Sequence, residues 1–231
     1  MLINPNNIII IAKNTVMKKF SIPYLEALNS IEIESVANIL ENSGYRDTIE
    51  IVNWPEQFNY RPITNFYFAR SNQSVFIKYS VRGNILKAVY TVDQESVHED
   101  SCVEFFCKLP DNDYYTNFEF NCIGTCSASK RKGRSEDVQM FNSAEMQTIK
   151  RLPTIARKAF KELSGMFEWE LTVEIPFALI GIDPDNLPEK LLANFYKCAD
   201  DTVSPHFVSW NAVKTENPDF HRPEFFGELW F

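Results

Sequence analysis

Aromatic and polar side chains are interleaved near the end of the chain, and together they could hold a ligand. The rings are Phe207, Trp210, Phe220, Phe225 and Phe226, and the polar residues are Asn211, Asn217, Asp219, His221 and Arg222. Flat rings can stack on the C–H faces of a sugar, while forked polar groups can hydrogen-bond its hydroxyls. Strand-like runs at 194–198 and 228–231 flank this stretch, as expected for a loop that presents a ligand site. The alternative is that the rings close a β-sandwich core.

Two glutamates and a lysine on strand-like runs form a second candidate group. Glu104 alternates with apolar neighbours, and Glu119 shares a strand face with Asn117 and Asn121. If these strands and the one that carries Lys197 are neighbours, two carboxylates and an ammonium would meet on one surface and could hydrogen-bond sugar hydroxyls. The alternative is an ordinary exposed salt bridge between strands.

Paired carboxylates also allow an enzymatic interpretation. Glu104 and Glu119 could act as acid and base in glycoside hydrolysis if they lay about 5–10 Å apart. A serine hydrolase is less favoured, because there is no G-x-S-x-G motif and the histidines at 98, 206 and 221 lack matching motifs. We therefore expect a non-catalytic protein, with a glycosidase-related enzyme as the alternative.

The sequence predicts no cofactor and no metal ligands. Four side chains could ligate zinc, but their spacing is unspecific; they are His206, His221, Asp200 and Asp201. An acidic loop at Asp183 and Asp185 is a weaker candidate for calcium.

The five cysteines predict free thiols rather than disulfides. They are Cys102, Cys107, Cys122, Cys126 and Cys198. An odd count without a CxxC pair is typical of a reducing compartment, and no export signal is visible, so we predict a cytoplasmic protein. We interpret the thiols as small core or surface hydrophobes.

The formal net charge of −8 argues against binding to the nucleic-acid backbone. The basic run KRKGR at 130–134 opposes this trend. It contains no aromatics and lies between strand-like runs, so we interpret it as a solvated hairpin or loop. No apolar stretch approaches a membrane span. We expect neither nucleic-acid nor membrane partners, and the oligomeric state is left open.

The 231 residues, 45% of them hydrophobic, can build a substantial core. Helical spacing at 30–43, followed by Gly44, predicts a short helix, and a turn of helix is expected at 176–180. Short strands are predicted at 20–25, 48–54, 64–69, 75–81, 86–92, 103–109, 115–123, 125–130, 147–152 and 167–175. Gly83 and Asn84 predict a tight turn. This series indicates an all-β fold, an antiparallel sandwich or barrel, in one domain.

Residues 1–16 are predicted to be an N-terminal extension that is not part of the fold. Their apolar run at 8–12 is too short for a secretory signal and has no basic stretch before it. The run that starts at Met17 is a more natural beginning, so we predict a single domain over residues 17–231. Mass analysis of the native protein tests this hypothesis.

Four segments in order resemble the family 9 carbohydrate-binding modules, in particular the family-9-like proteins of gut Bacteroidetes. They are VHEDSCVEFF at 97–106, NFEFN at 117–121, WELTVEIPF at 169–177, and the run at 194–231 with NFYKCADD, FVSWN and PDFHRPEFFGELWF. VEFF and FFGELWF are the most specific parts. The resemblance implies a jelly-roll-like antiparallel β-sandwich with a few short helices. It also implies non-catalytic carbohydrate binding, in typical members at a glycan's reducing end between two aromatic rings.

The same resemblance implies a ligand site with altered side chains. The family's two rings correspond to His98 and Phe220, and its strand glutamate corresponds to Glu104. A basic residue corresponds to Glu119, which reverses the charge, and a glutamine corresponds to Lys197. The predicted ligand-binding residues are His98, Glu104, Glu119, Lys197, Asn217, Phe220, His221 and Arg222. With His98 in place of a ring, a degenerate module that serves a protein interaction is a further alternative to a sugar or glycan end held in an aromatic and polar groove.

Overall fold

The computed structural model describes residues 16–231, so the predicted extension lies, except for Val16, outside the described residues. In chain order the strands are β1 Lys19–Ser21, β2 Tyr45–Thr48, β3 Ile51–Val52, β4 Ile63–Arg70, β5 Ser74–Ala88, β6 Cys102–Lys108, β7 Tyr115–Asn121, β8 Cys126–Arg131, β9 Gln139–Met140, β10 Lys150–Pro153, β11 Phe160–Pro176, β12 Lys190–Cys198, β13 Phe207–Ser209 and β14 Gly227–Trp230. The helices are α1 Ile33–Ser43, α2 Ser143–Thr148 and α3 Phe177–Ile180.

These strands form a larger and a smaller β-sheet. The larger has the order β1-β14-β12-β6-β7-β8-β9, with β13 paired to β12 and β3 to β13, and the smaller has the order β10-β11-β5-β4-β2. Neighbouring strands are antiparallel except β1 and β14, which are parallel. The predicted antiparallel β-sandwich with a few short helices is therefore confirmed. None of the described helices combines the length and the apolar character that a membrane crossing requires.

The core lies between the two sheets because side chains alternate along each strand. Val103 and Phe105 of β6, with Phe118 and Phe120 of β7, point into it. Residues between them, such as Phe106, belong to a separate cluster on the outer face of the larger sheet. The aromatic loops cover this outer face, and the candidate site lies there.

Helix α1 covers the outer face of the smaller sheet. Its buried residues Val36 and Leu40 pack with Ala69 of β4 and Phe76 of β5. The helix ends at Ser43, before Gly44. The predicted helix is confirmed, and its apolar stripe serves to bury this sheet face.

The tight turn predicted at Gly83 and Asn84 is wrong. Strand β5 continues through both residues and pairs with β11. A Cβ atom at Gly83 would lie 2.8 Å from the Tyr60 hydroxyl oxygen, which accepts a hydrogen bond from the Asn84 backbone N–H. The glycine is therefore required by close packing rather than by a turn.

Helix α2 replaces the first part of the strand predicted at 147–152. Asn142 accepts hydrogen bonds from the N–H groups of Ala144 and Glu145, and the Glu145 carboxylate accepts one from the Asn142 N–H. This capping box is an N-terminal helix signal, and it outweighs the apolar pattern after it.

Candidate functional site

A cavity of about 300 Å³ lies on the outer face of the larger sheet. Its volume is at the lower end of the range of small-molecule pockets. The residues that line it are Gln94, Glu95, Ser96, His98, Glu104, Glu119, Ser127, Arg131, Arg134, Ser135, Cys198, Asp200, Phe207, Pro218, Asp219, Phe220 and His221. Strands β6, β7, β8 and β12 form its floor, and the loops before β6 and after β13 contribute to its walls.

Glu104 and Glu119 lie directly opposite each other on β6 and β7 in the cavity floor. Glu104 is 3% exposed, and its Oε1 accepts a hydrogen bond from the Cys198 thiol at 3.1 Å. Its Oε2 is buried without a hydrogen-bond partner. Like charges in opposite positions destabilise a sheet, and a buried unpartnered oxygen adds a further cost. Such an arrangement is typical of a binding site rather than of a packed sheet face.

A hydrogen-bond chain holds Glu119 in position. Its Oε1 accepts from Asn117 Nδ2 at 2.9 Å, and Asn117 Oδ1 accepts from Ser129 Oγ at 2.7 Å. Arg131 Nε in turn donates to Ser129 Oγ at 2.9 Å. The other oxygen, Oε2, lies 3.8 Å from His98 Nδ1. This chain fixes the carboxylate from the side of β8.

Asp200, which from the sequence was only a zinc candidate, is a further carboxylate of the cavity lining. Its backbone N–H donates to the His98 carbonyl oxygen at 3.0 Å, and its Oδ1 is buried without a partner. A signal was present, because Tyr196, Cys198 and Asp200 follow the two-residue period of a strand. Continuing that period one step beyond β12 identifies Asp200.

The surroundings of these carboxylates favour their protonated forms. Burial raises the pKa of Glu104 well above its ordinary value, and the charge of Glu119 raises it further. Burial also raises the pKa of Glu119, against the opposing effect of His98. For Asp200, burial raises the pKa to about 6, again opposed by His98. A ligand that brings hydrogen-bond donors or positive charge would stabilise the ionised forms that burial disfavours.

Phe220 lines the cavity but is mostly packed against other rings. It is 8% exposed and stacks on Tyr196, with ring centroids 4.0 Å apart. Trp54 and Phe207 also contact it. Of the other loop aromatics, Phe207 lines the cavity, and Trp210 is fully buried in the core. Some of the loop rings therefore line the cavity, as expected for a ligand site, and others fill the core, as the alternative expects.

Two histidines lie at the cavity wall. His98 is on a short 3₁₀ helix, Val97–Glu99, and its side chain is 39% exposed. His221 Nδ1 shares a hydrogen bond of 2.9 Å with the Tyr115 hydroxyl. Burial and Arg131 lower the pKa of His221 to about 3, so this ring is neutral near pH 7.

Lys197 does not join the two glutamates, and the expectation that the three charges meet on one surface is wrong. It pairs in register with Val103, a core residue, whereas its neighbour Tyr196 pairs with Glu104. Its Nζ donates to the Cys198 carbonyl oxygen at 2.6 Å and lies 2.9 Å from His206 Nε2. The strand is adjacent as expected, but the alternation turns Lys197 to the inner face.

Asn217 and Arg222 also lie outside the cavity lining. Asn217 is exposed, and its carbonyl oxygen accepts a hydrogen bond from the Thr215 hydroxyl. Arg222 pairs with Glu224 at 2.7 Å. The structure therefore brings together five of the eight predicted residues, which are His98, Glu104, Glu119, Phe220 and His221.

The basic run contributes two arginines to the cavity, which the sequence interpretation missed. The run leaves β8 at the turn towards β9, and Arg131 and Arg134 line the cavity. Arg131 Nη1 donates to the Arg134 carbonyl oxygen at 2.9 Å, and Arg134 Nη1 lies 3.6 Å from Asp219 Oδ1. Each arginine thus has a protein partner.

The four candidate zinc ligands do not converge. His206 is buried beside Lys197, and Asp201 pairs with Lys87 at 2.6 Å. At the calcium candidate, Asp183 Oδ1 accepts a hydrogen bond from the Asp185 N–H in an exposed turn. A different group in the described part could hold a metal ion, with ligand atoms within 4.8 Å of one another; its members are Cys102, Glu104 and Cys198. All five cysteines are free and buried.

A β-sandwich with a polar and aromatic cavity on the outer face of one sheet has the architecture of a ligand-binding module. The family model described as carbohydrate-binding family 9 matches residues 35–231. The chain therefore belongs to carbohydrate-binding family 9.

Solved structures with similar folds agree with this assignment. A candidate carbohydrate-binding protein from Bacteroides uniformis is 32% identical, with a TM-score of 0.86 over 93% of this chain and 99% of that one. A family 9 module from Caldicellulosiruptor kristjanssonii in complex with glucose is 12% identical, with a TM-score of 0.58 over 92% and 95% of the chains. The cellotriose complex of a family 9 module from that organism is 9% identical, with a TM-score of 0.56 over 92% and 93%. Comparison with curated proteins gives no match.

Proposed function

We propose that this chain binds carbohydrate without catalysis and that one sugar ring of a glycan occupies the cavity beside His98 and Phe220, above Glu104 and Glu119. The observation that carries this proposal is the buried, unpartnered Glu104 Oε2 in a cavity that His98 and Phe220 also line. Membership of carbohydrate-binding family 9 supports the ligand class.

The chemistry of a sugar fits the floor. Sugar hydroxyls can donate to the unpartnered oxygens of Glu104 and Asp200, which removes a cost of about 1–3 kcal/mol for each buried acceptor. The cavity is small, which favours a glycan end over a long stretch of chain. The rings of Phe207 and Phe220 supply apolar contact for the sugar's C–H groups.

Isothermal titration with glucose and cellotriose, followed by a glycan panel, tests this proposal. We expect saturable binding and no released product. Glu104→Gln should weaken binding about tenfold and leave the fold intact, because the amide cannot accept at both positions. Glu168→Gln is the matched control, since Glu168 is an exposed residue of β11 on the other sheet.

Other outcomes distinguish the alternatives. Released sugar would favour a glycosidase-related enzyme, because opposite residues such as Glu104 and Glu119 have Cβ atoms about 5 Å apart. Absence of binding across the panel would contradict the proposal and favour a degenerate module with a protein partner.

A further inference from the structure

The cavity floor has three carboxyl groups that make no direct contact with a lysine or arginine of the described chain. Glu104, Glu119 and Asp200 all line it, and within residues 16–231 none of them forms an ion pair with lysine or arginine. The nearest basic contact is His98 Nδ1, 3.8 Å from Glu119 Oε2. Two of the three carboxylates also retain a buried oxygen without a partner. The protein therefore provides few contacts that would stabilise the ionised forms of these carboxyl groups.

The basic side chains nearby make their direct contacts with other groups. Arg131 Nε donates to Ser129 Oγ, and its Nη1 donates to the Arg134 carbonyl oxygen. Arg134 itself lies beside Asp219. Lys197 belongs to the opposite face of β12. Within residues 16–231, Arg131 and Arg134 therefore act on Glu119 and Asp200 only from a distance, and no lysine or arginine forms an ion pair with the three carboxyl groups.

We propose that the cavity selects a sugar that carries a free amine, such as a 2-amino-2-deoxyhexose, with its ammonium group against Glu104 and Asp200. This inference rests on the proposed function and specifies its ligand class. An ammonium offers three donors, which matches the two unpartnered oxygens with one donor to spare. A hydroxyl offers one donor and no charge, and hydrogen bonds between ionised groups are about twice as strong as neutral ones.

A metal ion is the competing occupant, because Cys102, Glu104 and Cys198 have ligand atoms within 4.8 Å of one another. Metal binding requires thiolates. Here burial raises the pKa of Cys102 to about 12 and that of Cys198 well above its ordinary value. A volume of about 300 Å³ with a wall at Phe220 also suits a molecule better than a single ion.

Titration calorimetry of the full chain in metal-free buffer tests the inference with three probes. At about pH 7, where an amine of this kind is largely protonated, we compare glucosamine with glucose and N-acetylglucosamine. N-acetylglucosamine carries its nitrogen substituent at the same carbon as glucosamine but has no positive charge. We expect glucosamine to bind about tenfold more tightly than either neutral sugar.

The outcomes separate this inference from the proposed function. Equal affinities for glucose and glucosamine would overturn the amine preference and leave carbohydrate binding in place. Failure of all three sugars would overturn the amine preference, and the glycan panel then decides the proposed function. Zinc titrated alone is the second measurement. Stoichiometric zinc binding together with equal sugar affinities would identify the floor as a metal site and overturn the inference.

Variants of the floor provide the matched comparison. Glu119→Arg replaces an acid with a base, and we expect it to reverse the preference so that glucose binds more tightly than glucosamine. Asp200→Asn should reduce the preference for glucosamine about tenfold, because it removes one charge from the floor. The exposed control Glu168→Gln should retain the preference. An unchanged preference in both floor variants would contradict the inference, and the wild-type comparison decides it if Glu119→Arg does not fold.

Discussion

At the scale of single residues, the cavity floor breaks rules that the rest of the fold follows. Glu104 and Glu119 are acidic residues in opposite positions, and Glu104 keeps a buried oxygen without a partner. A sheet face made only for stability would pair these groups or replace them with apolar ones. Departures of this kind concentrate at functional sites, where the ligand completes the interactions.

Asp200→Asn should stabilise the protein at neutral pH. Burial raises the pKa of Asp200 to about 6, so the native state holds a proton that the unfolded chain loses near pH 4. Stability from this group is therefore present below about pH 4 and is lost as the pH rises through about 6. Urea unfolding should show the variant about 1–3 kcal/mol more stable than wild type at pH 7.5, with no difference below pH 4.

The exposed Asp185→Asn is the control for this measurement and should change stability at neither pH. An Asp200→Asn effect of equal size at both pH values would show that the side chain acts through packing or hydrogen bonding instead of through its charge.

Phe220→Ala should reduce both stability and sugar affinity. The resemblance implied a ring that contacts sugar, but Phe220 is 8% exposed and also stacks on Tyr196. Its removal should cost about 3 kcal/mol in urea unfolding and about 1–3 kcal/mol in binding. Phe220→Leu keeps most of the volume, so it should restore much of the stability and little of the binding. Unchanged stability in the alanine variant would contradict this packing.

At the scale of elements, the alternation of side chains along each strand decides which of them reach the cavity. Strand β12 presents Tyr196 and Cys198 to the outer face and Phe195 to the core. A shift of one residue in the pairing register moves every side chain of a strand to the other face. A strand predicted at the right place in the sequence therefore does not establish which of its side chains face the cavity.

The variant Lys197→Met tests this alternation of side chains along β12. Because Lys197 pairs with the core residue Val103, the substitution should leave sugar affinity within about twofold of wild type. Sugar titrations of Lys197→Met are compared with those of Glu104→Gln, whose substituted side chain lies on the outer face of the sheet. A tenfold loss in Lys197→Met would show that this side chain contacts the sugar after all.

Gly227→Ala should destabilise the protein through the packing of β14. A Cβ atom there would lie 2.5 Å from the Lys18 carbonyl oxygen and 2.5 Å from the Trp210 ring. Overpacking of this kind costs about 1–3 kcal/mol, measurable by chemical denaturation. Gly133→Ala is the control, because its nearest contact would be an ordinary 3.4 Å. Equal stabilities of the two variants would contradict the close approach at Gly227.

At the scale of the whole molecule, the structure is layered from helix α1 through both sheets to the aromatic loops. The core between the sheets positions the strands, and the outer cluster of Trp54, Phe220 and Phe226 holds the loops over the larger sheet. The cavity lies beside this cluster, so its walls depend on packing between segments far apart in sequence. A rigid scaffold under a loop-built wall is a common arrangement for ligand binding.

Shortened chains test the hypothesis that residues 1–16 are not part of the fold. A chain that begins at Met17 should have the same melting temperature as the full chain, because β1 begins at Lys19 and pairs with β14. A chain that begins at Pro23 lacks β1 and the buried residues Phe20 and Ile22, and it should melt several degrees lower. A lower melting temperature for the Met17 chain would contradict the hypothesis. The single domain over 17–231 and the cytoplasmic location also stay predictions.

The sequence by itself determined the β-rich class, helix α1, most strands and the family, because these follow from local periodicity and short motifs. It also indicated that Glu119 lies on a polar strand face with Asn117 and Asn121, since alternation is a local property. The tertiary structure decided which of these faces meet, that Lys197 faces inward, and that Asp200 and Arg134 reach the cavity. It also decided how far Phe220 is buried. Strand order and loop packing join residues that are distant in sequence, and no local pattern specifies those contacts.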